Sequence, residues 1–211
     1  MSRLRSLRYD DLGPEGRQIW DGVVGSRGGD LVNADGSLVG PFNVFLHAPG
    51  VGRRLSSLGA AVRFGTSLDR RLSELAILAV SARWRAEFEW YAHVPMAREH
   101  GVSDAVIEAI GRGEDPPIEA EDERVVYTAA RELAETGRLG QQTYDAGFAL
   151  LGEQGMVELV ALCGYYTLIA YLLNAFDVPV PSGAELVWPG REPADDQNSR
   201  GMPSSAPRSA S

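Results

Sequence analysis

"RRLSELAILAVSARWRAEFEWYAHVPMAREHG", residues 70–101, decides how this chain folds. Apolar residues surround nearly the whole helical circumference between Leu72 and Val80, so the spacing predicts a helix over 69–84 buried on several sides. A second helix follows over 86–100 and stops at Gly101. Three side chains in this pair do not belong in an ordinary core: Glu74, Glu89 and His93. Glu89 and His93 are four residues apart, which puts them on one helix face. A carboxylate beside an imidazole holds the ring, raises its basicity and lets it move a proton near neutral pH. On an exposed face the same spacing is only a surface pair worth a few tenths of a kcal/mol. Here the face continues through Ala86 and Ala97, with the rings of Phe88, Trp90 and Tyr91 nearby. Glu74 leads into six apolar residues, Leu75 to Val80. A carboxylate entering a core helix needs a partner or takes up a proton. Arg70 or Arg71, one turn earlier, is the local alternative partner.

Outward from this stretch the pattern stays helical. Upstream, residues 1–13 are polar and read as loosely attached, and Pro14 opens a helix to about Gly28. "GSRGGDLVNADGSLVGP", residues 25–41, is a Gly-rich loop, and "PFNVFLHAP", residues 41–49, is a short apolar stretch. A helix from Pro49 to Phe64 repeats Val51, Leu55, Leu58 and Val62 and stops at Gly65. Downstream, Ser103 caps a short helix through Ile110, residues 120–136 form a helix stopped by Gly137, and helices follow over 141–151 and 154–175, separated by Gly152. "DVPVP" closes the fold, and the Pro/Ser-rich residues 190–211 read as a disordered tail. No segment alternates with period two over a strand's length. The expectation is an all-α protein of about seven or eight helices, with residues 1–37 as an N-terminal helix and loop and residues 38–181 as the main domain.

The chain has 211 residues, enough for one substantial core, and a formal net charge of −9 from 29 acidic and 20 basic residues. All basic side chains are arginine. The acidic balance argues against nucleic acid as a partner. One cysteine, Cys163, excludes an internal disulfide and a Cys-rich zinc site. The N-terminus has no apolar run of the kind a signal peptide needs. "LVALCGYYTLIAYLL", residues 159–173, is shorter than the roughly 20 residues of a span, so it reads as a buried helix rather than a membrane segment. A cytoplasmic protein is expected.

Residues 70–110 resemble the central motif of the carboxymuconolactone decarboxylase family, which includes the AhpD-like alkylhydroperoxidases. "VGPFNVFLHAPGVGRRLSSLGAAVRF" and "ELVALCGYYTLIAYLLNAFDVPVP" are similar to its flanking segments, so the resemblance spans about residues 38–181. It implies an AhpD-like helical fold, a homo-oligomer (trimer or hexamer), and an active site between helices at or near a subunit interface. The peroxidase branch carries E-x(11)-C-x-x-C-x-x-x-H. Counted from Glu74, its cysteines fall on Ala86 and Glu89 and its histidine on His93. Both thiols are missing, and a peroxidase of this kind needs a low-pKa thiolate and a resolving cysteine. The decarboxylase branch carries E-x-x-x-H, which Glu89 and His93 reproduce.

The resemblance therefore implies a cofactor-free acid/base enzyme, a decarboxylase, lyase or isomerase acting on a cyclic lactone or carbonyl acid. His93 is its expected proton donor, Glu89 orients His93, and Glu74 is a second acid/base or hydrogen-bond partner. His47, Arg63 and Trp90 are the expected substrate contacts, with a capped structural role as the alternative for His47. The expected partner is a small-molecule substrate, with no nucleic acid, membrane, cofactor or metal. Two other classes compete: an alkylhydroperoxidase or peroxiredoxin-type antioxidant, which would have to rely on Cys163, and a non-catalytic oligomeric ligand-binding protein. The pair of carboxylates with one histidine is also a weak divalent-ion signal.

Overall fold

The computed structural model describes residues 2–27 and 31–189. Among them a 3-10 turn (Tyr9–Asp11) and eight α-helices follow in order: α1 (Pro14–Arg27), α2 (Pro41–Leu46), α3 (Pro49–Phe64), α4 (Arg70–Trp84), α5 (Glu87–Glu99), α6 (Asp104–Arg112), α7 (Glu121–Thr136) and α8 (Gln141–Ala175). Among the described residues there is no strand. Isolated antiparallel bridges, Arg8 with Ser37 and Val32 with Leu38, tie the N-terminal segment and the Gly-rich loop together. The architecture is all-α.

Helix α4 is the axis of the fold. Asp69 caps it by accepting the Arg71 N–H at 2.8 Å. Every residue from Leu72 to Ser81 is buried, because α5, α6, α7 and α8 all pack against it. Arg85 ends it in the left-handed conformation, φ 47°, and the Ala86 N–H returns to the Ser81 carbonyl at 2.9 Å. The main core gathers Trp20 and Val23 of α1, Val62 of α3, Ile77 of α4, Val126 of α7 and Leu159 and Leu162 of α8. A second cluster lies between α4, α5 and α6, with Leu75, Leu78, Trp90, Val106 and Ile110. Ser103 caps α6, accepting the Val106 N–H at 3.3 Å, and α6 runs on to Arg112.

Several segments depart from the sequence reading. "PFNVFLHAP" contains a helix of its own, α2, which Pro41 opens and which buries Phe42, Val44, Phe45 and Leu46. The N-terminal segment is pinned rather than loose. Leu7 and Leu12 are buried, Ser2 Oγ and the Arg3 N–H both donate to the Phe176 carbonyl, and the Leu7 N–H donates to Asn43 Oδ1 at 2.9 Å. Its anchors are single residues without a period, so no local pattern announces them. One expectation here does hold: Gly152, at φ 67° and ψ −175°, divides α8 into two helical stretches across a kink, as the sequence reading has it. By composition α8 is long and apolar enough to cross a bilayer, yet half of its most apolar window is buried inside the fold. The chain also packs beyond "DVPVP". Trp188 stands edge-on to Trp90 at 5.2 Å, and its Nε1 donates to the Gly111 carbonyl at 3.0 Å. The expected tail, residues 190–211, lies outside the described residues.

Neither arginine considered as a hydrogen-bond partner for Glu74 plays that role. Arg70 donates to the Arg63 carbonyl, and Arg71 clamps the start of α7 by donating to Asp122 and Glu123. Arg71→Ala is expected to lower stability by about 1–2 kcal/mol, since the clamp is charge-assisted but partly open to solvent. An unchanged denaturant midpoint would show that the clamp adds nothing.

Candidate active site

Helices α4 and α5 run antiparallel, and their contacts show it: Glu74 meets His93, while Ser81, two turns further along α4, meets Glu89, one turn earlier on α5. Each rung joins two buried polar side chains across an otherwise apolar seam.

The first rung is the tighter. Glu74 Oε2 lies 2.6 Å from His93 Nδ1, with Glu74 1% and His93 6% exposed. Burial opposes the charge on Glu74. The hydrogen bond from His93, then the charges of His93, Arg63 and Arg70, outweigh it and hold the carboxyl below its ordinary value. Ionised Glu74 accepts, so His93 Nδ1 carries the proton of this hydrogen bond. Glu74 stabilises the fold fully above the ordinary carboxylate range, about 4.3. That contribution is lost as pH falls through its lower folded value.

Two more elements close around this pair. From α3, Arg63 Nη2 stands 3.8 Å from Glu74 Oε1, an attraction between charges rather than a hydrogen bond, and 3.0 Å from Met96 Sδ. Its buried Nε has no hydrogen-bond partner among the described residues. From α8, the Tyr166 ring stands edge-on to His93, centroids 4.9 Å apart at 88°. Burial pushes the Tyr166 hydroxyl well above its usual pKa, so it is a neutral phenol.

The second rung pairs Ser81 Oγ with Glu89 Oε1 at 2.9 Å. Glu89 is 2% exposed, and burial raises its pKa well above the ordinary value, with Ser81 opposing. Glu89 therefore does not orient His93 in the way the i, i+4 spacing suggests. The carboxylate on His93 Nδ1 is Glu74, from the neighbouring helix.

The expected substrate contacts divide. Arg63 reaches the pair. His47 does not: it is exposed at the end of α2, with Nε2 3.1 Å from the Arg5 carbonyl, which matches the structural alternative. Trp90 is buried in the second cluster against Trp188 and Gly111, a core position. Cys163 is 3% exposed and its thiol is pushed up to about 12 by burial, far from a reactive thiolate. Sequence reasoning missed Ser81, Tyr166 and Met96. Ser81 had a signal, since it sits two helical turns after Glu74 on the same face of an apolar helix. Tyr166 had none, because a tyrosine in a core helix reads as packing. A surface cavity of about 290 Å³ opens between α7 and α8, beside Thr128, Glu132 and Thr143. Its Glu132 is already engaged by the Gly140 N–H and the Thr143 hydroxyl, so this cleft is part of the α7–α8 turn.

Residues 49–132 match the sequence profile of the Carboxymuconolactone decarboxylase family. The fold is similar to a structure of the alkylhydroperoxidase AhpD core, an uncharacterized peroxidase-related protein from Ralstonia eutropha JMP134, at 15% identity and a TM-score of 0.68, covering 86% of this chain and 93% of that one. It is also similar to a protein of unknown function from Agrobacterium tumefaciens that carries the name AhpD, at 21% identity and a TM-score of 0.57, covering 66% of this chain and 96% of that one. At these identities the likeness concerns the fold alone. No curated protein matches the chain. The stretch from α3 to α7 is therefore similar to the carboxymuconolactone decarboxylase family, and the described residues take an AhpD-like all-α fold without a Cys-x-x-Cys pair.

Proposed function

We propose that this protein is an acid/base enzyme in which His93 moves a proton on a small carbonyl or lactone acid, as a decarboxylase, lyase or isomerase. The observation that carries the reading is the buried 2.6 Å contact between Glu74 Oε2 and His93 Nδ1. A carboxylate that fixes the ring and stabilises the imidazolium makes Nε2 a proton donor and acceptor near neutral pH. Arg63, whose buried Nε has no hydrogen-bond partner among the described residues, supplies a positive group for the substrate's carboxylate. In a decarboxylation the carbon–carbon bond to the carboxylate breaks, carbon dioxide leaves, and the electron pair passes into the neighbouring carbonyl system. His93 then returns a proton to carbon. These side chains hold the anion and move the proton without a cofactor. The thiol route has weaker support, since the chain's single thiol is buried. A cytoplasmic location accompanies this reading.

The test is turnover. A panel of cyclic lactone acids and keto acids is followed for carbon dioxide release and isomerisation, with His93→Ala alongside. A substrate turned over equally by both proteins would end the proposal.

The same reading includes a homo-oligomer. Its support is an exposed apolar stripe on α8: Val157 at 70% exposure, then Val160, Leu168 and Tyr171 at helical spacing. Val160→Arg with Leu168→Arg is expected to reduce the mass by light scattering to that of one chain. A wild type already at single-chain mass would remove the idea.

A further inference from the structure

Ser81 Oγ makes two short contacts: 2.8 Å to the Ile77 carbonyl and 2.9 Å to Glu89 Oε1. A hydroxyl has one proton to give. A carbonyl and an ionised carboxylate can only accept, so with Glu89 ionised one of these oxygen–oxygen contacts would contain no hydrogen. Both are satisfied if Glu89 carries a proton, donates it to Ser81 Oγ, and Ser81 donates to Ile77. Glu89 Oε2 points the same way. It is buried with no hydrogen-bond partner among the described residues, a position a neutral carbonyl oxygen tolerates far better than half of a charged carboxylate.

We propose that Glu89 is stored as a neutral carboxylic acid, wired through Ser81 to the Ile77 carbonyl, and serves as the second proton source of the His93–Glu74 site. The two carboxyl groups then divide the work: Glu74 is the ion that holds His93, and Glu89 is the acid. The groups gathered about them are Arg63 from α3, Glu74 from α4, His93 from α5 and Tyr166 from α8. Arg63 sits beside Glu74, and Tyr166 is a neutral phenol. The protonation of Glu89 stands on its own geometry, while its use as a proton source rests on the acid/base reading.

The sign of the linkage gives the experiment. A group whose pKa is raised by folding stabilises the native state fully below its unfolded value, about 4.3 for glutamate. That stability is lost as pH rises towards the folded value. The unfolding constant of the wild type, divided by that of Glu89→Gln, is therefore expected to rise about tenfold per pH unit above that point, until folded Glu89 begins to ionise. A ratio that stays flat from about pH 5 to 7 overturns the proposal. The infrared spectrum of the wild type at pH 7 needs no variant. It should contain the carbonyl band of a protonated carboxyl group, shifted in deuterium oxide, and its absence also overturns the proposal. A flat ratio would leave the His93–Glu74 reading standing, and equal turnover by His93→Ala would leave the protonation of Glu89 standing.

Discussion

His93→Ala is expected to lower kcat/KM for an accepted substrate by about 10²–10⁴-fold, the usual contribution of a positioned proton-transfer group. His93→Gln is expected to lose turnover similarly but to fold better, because its amide can still donate to Glu74. Alanine leaves Glu74 buried without that donor, and a stranded carboxylate destabilises the core. Comparing the two variants separates chemistry from folding. Proton NMR titration of the chain's three histidines then identifies the carboxylate that matters. Glu74→Gln should lower the His93 pKa relative to wild type, since it removes the charge on Nδ1. Glu89→Gln should leave it nearly unmoved, because a neutral acid is replaced by a neutral amide. Movement with Glu89 rather than Glu74 would reverse the assignment.

Gly40→Ala is expected to cost about 2–4 kcal/mol, from left-handed strain and overpacking together. For a chain of this size that is a fall of about 5–15 °C in Tm. Gly40 precedes α2 with φ 56° and ψ −135°, a region L-residues rarely adopt, and a Cβ there would overlap the Phe88 ring. Phe88 is buried on α5 next to Glu89, so the close approach of Gly40 seats the helix that carries both rungs of the site. Gly113→Ala is the control. Its φ is 71°, with open space around the new Cβ, so it adds only the strain, about 1 kcal/mol. Equal melting temperatures for the two variants would show that the Phe88 contact carries no weight.

Much of the helical framework was legible because helix ends are local events. Pro49 and Gly65 bound α3, Ser103 starts α6, Gly137 stops α7, and Gly152 breaks α8. The unbroken apolar run of α4 implied burial on several sides, and Glu74 within it implied a partner. Which partner was not legible. Sequence spacing counts neighbours along one helix, and by that count Glu89 is next to His93. Packing α5 antiparallel on α4 offered each carboxyl a partner across the seam, His93 for Glu74 and Ser81 for Glu89. The same limit applies elsewhere: His47 turned to the Arg5 carbonyl, Trp90 to Trp188, and Tyr166 arrived at His93 from a helix more than seventy residues away. Helix periodicity and caps are written residue by residue, so the sequence alone determined most of the helices and singled out Glu74, Glu89 and His93. Long-range packing chose the pairs, and with them which carboxyl is the ion and which is the acid.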